Sequence, residues 1–140
     1  LVVKNPNKKY FFGKVTMYLT FNKLARDLIL YFMQIYFPDN ENLVYPKEPC
    51  ILHHDENELS SYFHGNDYRK DYRILSKQVR KLKETIPPLI NSYMNLSSTA
   101  RVFGTALNHK FGDVEETGLM ITISDIYEKK KERHIRTYKP

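Results

Sequence analysis

Cysteine is nearly absent from this chain. Cys50 stands alone among 140 residues, which excludes an internal disulfide and any zinc site built from several thiolates. A lone thiol fits a reducing compartment. Long hydrophobic runs are also missing: the longest, Leu28-Ile-Leu-Tyr-Phe-Met33, falls far short of the roughly 20 residues that span a bilayer. No charged-then-apolar leader with a small-residue cleavage site opens the sequence. The chain is therefore expected to be soluble, or at most to rest on a membrane surface. There is no internal repeat, no low-complexity tract and no common nucleic-acid reader motif, so a nucleic-acid partner is not expected. Tryptophan is missing altogether.

In its place the chain has 11 Tyr and 8 Phe, enough rings for half-buried strand faces or an aromatic groove. That content argues for a folded domain rather than disorder. The formal charge of +6 and pI near 9.3 favour an anionic partner: a lipid surface, an acidic carrier protein or a phosphorylated cofactor.

Alternation over Tyr10 to Leu19 predicts a strand, with Phe11, Gly13, Val15, Met17 and Leu19 on one face. Gly13 in its middle signals a bulge or a close approach by a neighbour, the bulge being the simpler reading. Thr20 is placed to cap a helix whose Phe21, Leu24, Ala25, Leu28, Phe32, Ile35 and Tyr36 recur at helical spacing until Pro38. Residues 38 to 66 read as a polar excursion with a short strand near Cys50-Ile51-Leu52. A helical pattern returns from Asp67 to Glu84, with Ile74, Leu75, Val79 and Leu82 beside a strongly basic face. Pro87 and Pro88 start a short helix to about Asn95. Two strands follow, Arg101 to Leu107 and Gly118 to Ser124, separated by a loop dense in ionisable groups. Asp125 and Glu128 have the spacing of a capping box for a basic terminal helix. The order is β-α-(helical insert at about 38–96)-β-β, an α+β domain or part of one.

Three segments, Lys9-Tyr-Phe-Phe-Gly-Lys-Val-Thr-Met17, Pro87-Pro-Leu-Ile-Asn-Ser-Tyr-Met-Asn-Leu96 and Val102-Phe-Gly-Thr-Ala106, taken in this order, resemble a family. They are similar to the lipid-forming acyltransferases once labelled hemolysins, which include bacterial ornithine-lipid and glycine-lipid N-acyltransferases of the GNAT fold. The resemblance runs from about Tyr10 to Ser124 and is helical in character only through the middle third. It implies the C-terminal part of a GNAT-like domain, and the opening Leu1-Val2-Val3 reads as a cut inside an element. A glycine-containing strand-to-helix turn that would grip the acyl donor in that fold does not precede it, so the cofactor-binding residues are unknown.

The implied reaction is attack of an amino-acid amine on a fatty acyl thioester carried by acyl carrier protein or coenzyme A, in bacterial aminolipid synthesis. No permanently bound cofactor and no metal are expected. The His53-His54-Asp55 run with His64 lacks the two-turn helical spacing of a zinc hydrolase site. The amine must lose a proton, and the leaving thiolate gains one. Glu115 or Glu116 is assigned as base or ammonium anchor, against the plainer reading of two solvated, mutually repelling glutamates. His109 is the second candidate base. Tyr18 and Tyr31 are candidate proton donors to the thiolate, and Arg101 or Lys110 a partner for the substrate carboxylate. The basic helix from Arg69 to Lys83 and the tail from Lys129 suit an acidic carrier protein or anionic headgroups. The setting this implies is cytoplasmic, with peripheral contact at the inner membrane face. A bare edge strand would favour a homodimer. The alternative is a non-catalytic basic module that binds an acidic carrier protein or an anionic membrane surface.

Overall fold

The computed structural model describes residues 2–137. Three strands form one antiparallel sheet: β1 (Tyr10–Tyr18), β2 (Arg101–Asn108) and β3 (Val114–Thr122), in the order β1-β3-β2. Alternation puts Val15 and Met17 of β1, with Thr117, Leu119 and Ile121 of β3, on a buried inner face. Tyr10, Phe12 and Tyr18 stand exposed on the other.

The β1–β3 register runs unbroken through Gly13, which faces Leu119, so no bulge lies there. The close approach is the reading that applies: a Cβ at this position would sit 2.9 Å from the Tyr93 hydroxyl, at the far end of a side chain that would have to shift. The sheet's irregularity falls in β2 instead, between Val102 and Thr105.

Helix α1 (Lys23–Tyr36) crosses the inner face. Its cap is Asn22, whose side chain accepts from the Ala25 N–H at 3.1 Å, rather than Thr20. Every residue from Ala25 to Met33 is buried, so this helix is covered on all sides instead of along one stripe. The segment after it explains why. Pro38 bridges to Val102, Pro49 bridges to Ala106, and Cys50 N–H donates to Thr105 O at 2.7 Å. The expected strand near Cys50 is thus reduced to one bridge.

A short helix not foreseen in the sequence, α2 (Glu56–Ser60), is capped by Asp55 and inserts Leu59 into the core. Helix α3 (Tyr68–Lys81) packs Leu75 and Val79 inward. Phe32 of α1 meets Tyr36, Phe63, Tyr68 and Tyr72 in a ring cluster, with centroids 4.8–6.2 Å apart. These are packing distances at which aromatic pairs attract. Helix α4 (Pro88–Met94) starts on proline as expected.

The terminal helix α5 (Glu128–Lys131) continues, more widely wound, over Glu132–Arg136. No capping box starts it. Tyr127 is the cap and makes no side-chain cap bond. Asp125 is drawn away, accepting from Thr99 Oγ1 at 2.6 Å and Ser124 Oγ at 2.8 Å. Among the described residues, no helix is long and apolar enough to cross a membrane.

Candidate functional site

The loop between β2 and β3 is shorter than its polar composition suggests. Asn108 accepts from Lys110 N–H, a single helical turn covers His109–Phe111, and Gly112 and Asp113 take positive φ of 76° and 52°. That reversal starts β3 at Val114, four residues before the sequence pattern does. Glu115 and Glu116 are therefore strand residues, and consecutive strand residues face opposite sides.

The two glutamates part company completely. Glu116 lies on the outer face, 2.5 Å from Lys14 of the neighbouring strand. The hydrogen bond from Lys14 holds its carboxyl below the ordinary range, against the opposing effect of burial. Glu115 lies on the inner face, 8% exposed, beneath α1. Arg26 of that helix grips it with two bonds, Nε to Oε2 at 2.8 Å and Nη2 to Oε1 at 3.0 Å. Such a planar fork is the strongest form of the carboxylate–guanidinium pair.

The network continues along α1. Arg26 Nη1 also reaches Asp27 Oδ1 at 2.5 Å and the Ile51 carbonyl at 3.0 Å. Asp27 Oδ2 accepts the backbone N–H groups of His53 and His54, at 2.7 and 2.9 Å, and meets His54 Nδ1 at 2.8 Å. Asp27 is wholly buried. Burial alone would raise its pKa, but hydrogen bonds from Arg26, His54 and the two backbone amides outweigh it and lower the value. For Arg26 burial opposes the charge, and the bonds to Glu115 and Asp27 raise its pKa above the usual guanidinium value. One cation thus serves two buried carboxylates, and the His54 ring also meets Asp27.

A cavity of about 290 Å³ opens beside this network, lined by Tyr18, Phe21, Lys23, Arg26, His53 and Glu115. Cys50 lies within electrostatic reach of Glu115 and Arg26, but burial pushes its thiol pKa up. That favours the protonated form, a poor nucleophile.

The sequence-predicted residues do not converge on one point. Glu115 and Tyr18 reach the cavity, while Tyr31 is buried and stacks on Phe63. His109 sits in the exposed turn, 2.7 Å from Asp113, and Lys110 beside it is exposed. Arg101 pairs with Glu41 at 2.7 Å and lies 3.7 Å from Asp39. Arg26, Asp27, His53 and His54 join Glu115 in the network beside the cavity without having been singled out as catalytic. The available signal was a charged Arg-Asp pair interrupting the apolar α1 run, in a chain that also carries adjacent histidines.

Two curated proteins are similar to nearly the whole chain. A glycine Nα-acyltransferase of Bacteroides thetaiotaomicron is 52% identical over 138 residues, 99% of this chain and 41% of that protein. One of the same name from Phocaeicola vulgatus is 48% identical over 138 residues, 99% of this chain and 42% of that protein. No family model matches the chain, and no solved structure does. The chain spans about two-fifths of the length of the curated relatives it matches.

Proposed function

We propose that this chain is part of an N-acyltransferase that moves a fatty acyl group from a thioester to the amine of glycine or a similar small amino acid. The observation that carries the reading is roughly half identity, over nearly every residue, to two proteins bearing that name. The α+β architecture is compatible with the C-terminal part of a GNAT-like domain. The cavity beside Glu115 supplies a place for the amine.

In the reaction, the amine nitrogen attacks the thioester carbonyl, forming C–N as C–S breaks. Its proton passes to a base, and the thiolate takes up a proton as it leaves. Asp27 and Glu115 share the one guanidinium of Arg26, Lys23 adds a further cation to the cavity wall, and Glu115 is the carboxylate that the cavity offers to a substrate ammonium. Glu115 anchors that ammonium, held still by Arg26. His53, which lines the cavity and whose backbone is tied to Asp27, is the base assigned to the reaction. The thioester is carried by acyl carrier protein or coenzyme A. The N-acyl amino acid made from it enters aminolipid synthesis at the inner membrane face.

The test uses the full-length protein, a palmitoyl thioester and glycine, following thiol release and the mass of N-palmitoylglycine. Glycine-dependent thiol release with that product is the expected result. Absence of amino-acid-dependent thiol release with either carrier, for glycine and for alanine and serine alike, defeats the proposal.

A second reading, a basic docking module, draws on α3. Arg69, Lys70, Arg73, Lys77, Arg80 and Lys81 stand on one helix, and among the described residues none forms an ion pair. Binding to an acidic carrier protein through this face must weaken steeply with salt.

A further inference from the structure

At the opposite end of the sheet's inner face lies a larger cavity of about 460 Å³, within the usual range for small-molecule sites. Its body is hydrocarbon: Phe11 and Ile121 from the sheet, Leu89 and Leu96 from α4 and its exit, Ile126 and Ile135 from the terminal segment. Three cationic or protonatable side chains, Lys4, Lys130 and His134, also line it, and no carboxylate does. None of the three has a carboxylate within ion-pair distance among the described residues. An apolar chamber with unneutralised positive charge matches one chemistry: a hydrocarbon tail carrying an anionic head.

The chamber is not the far end of the Glu115 cavity. Ile121 and Glu115 are six residues apart on β3, about 20 Å, and the face between them is filled by Val15 and Leu119 packed into the core. A ligand in the chamber is therefore separate from an amine at Glu115.

We propose that this chamber binds a single-chain fatty amphiphile with a carboxylate head, the tail against Phe11, Ile121 and Leu96 and the carboxylate at Lys4 and Lys130. The inference rests on the acyl-transfer reading only for the name of the natural ligand, since an N-acyl amino acid is such a molecule. Free fatty acid shares the chemistry and is the other source.

Calorimetric titration of the full-length protein tests it, with N-palmitoylglycine, palmitate and the methyl ester of N-palmitoylglycine as probes below their micellar concentrations. Saturable binding of the two acids is expected, with the neutral ester weaker by about tenfold. Tighter binding of N-palmitoylglycine than palmitate identifies the reaction product, and equal binding identifies any single-chain carboxylate. Lys4→Glu combined with Lys130→Glu should cut affinity for the acids at least tenfold and leave the ester within twofold. Leu89→Trp, at a position already 52% exposed, narrows the chamber without disturbing the core and should weaken all three probes. Loss of amino-acid-dependent thiol release alone, with these affinities intact, sinks the enzymatic reading and not the chamber. Absence of saturable binding, or affinities blind to both sets of variants, overturns the chamber, including the case in which the remainder of a longer chain fills it.

Discussion

Two buried aspartates in this molecule make nearly the same local structure to different ends. Asp27 on α1 accepts the backbone amides of His53 and His54 and meets His54 Nδ1. Asp71 on α3 accepts the amides of His64 and Gly65 and meets His64 Nδ1 at 3.0 Å. Both are fully buried, and each pins a loop of the 38–66 excursion onto a helix. They differ in the remaining partner. Asp71 takes the Tyr36 hydroxyl at 2.6 Å, a neutral donor. Asp27 takes Arg26, which is shared with Glu115 at a cavity wall. The clamp is a device for holding loops; the added guanidinium and second carboxylate set one copy of it at the candidate site.

Removing the shared cation should break the comparison hardest. Arg26→Met leaves Asp27 and Glu115 buried without their counter-charge, a change of about 3–5 kcal/mol. Thermal unfolding should show a large loss of Tm. Adding Glu115→Leu to that variant should recover part of it, because one orphaned charge is gone. A single variant as stable as the parent would mean that water, not Arg26, satisfies the carboxylates.

Next in size are the two conservative carboxylate exchanges, which should separate function from stability. Glu115→Gln keeps the shape and removes the charge, so kcat/KM for glycine should fall about 100-fold, and the loss of its charge-assisted bonds to Arg26 should cost stability of the same order as the Asp71 exchange, about 2 kcal/mol. Asp71→Asn exchanges charge-assisted bonds for neutral ones, a loss of about 2 kcal/mol, and should leave kcat/KM unchanged. Equal loss of turnover in both variants would erase the distinction between site and staple.

Acid sharpens the same contrast. Burial raises the Asp71 pKa, yet the Tyr36 hydroxyl, the two backbone amides and His64 overcome it and bring the value down to about 2. A carboxylate with a folded pKa below its unfolded one adds stability above the unfolded value of about 3.9. That stability is lost as pH falls through the folded value. Stability of the parent should thus decline between about pH 4 and pH 2, and Asp71→Asn should flatten the decline. A parallel slope in the variant would assign the acid sensitivity to other carboxylates, Asp27 first, since its pKa is lowered too.

How much of this could be read in advance follows from which signals are local. Periodicity marked α1, α3, α4 and the inner face of β1, because Leu28, Phe32, Val15 and Met17 repeat at the spacing of their element. The same periodicity hid the site. Arg26 and Asp27 interrupt the apolar stripe of α1, and they are buried by Glu115 of the sheet on one side and by the return of residues 38–54 on the other. That return rests on long-range bridges, Pro38 to Val102 and Pro49 to Ala106, which leave no local pattern. The sequence pattern puts Glu115 in a loop, since Val114-Glu-Glu-Thr lacks apolar alternation, and the structure puts it in β3. Its strand begins where the turn at Gly112 and Asp113 ends, a fact of backbone conformation rather than hydrophobicity.

The smallest effect expected belongs to the glutamate next door. Glu116 and Glu115 adjoin in sequence and face opposite sides of one strand, so a two-carboxylate mechanism would need them to act through the sheet. Lys14, more than half exposed, is the main partner of Glu116, and pairs of this kind are worth about 0.2–1 kcal/mol. Glu116→Gln should therefore shift Tm by about 4 °C at most, in the proportion expected for a domain of this size, and leave kcat/KM within twofold. A fall in kcat/KM like that of Glu115→Gln, with Tm unchanged, would place catalytic demand on the sheet's outer face, where Tyr10, Phe12 and Tyr18 already stand exposed. The cavity at Arg26 would then be a packing feature and the reacting groups would lie across the sheet from it.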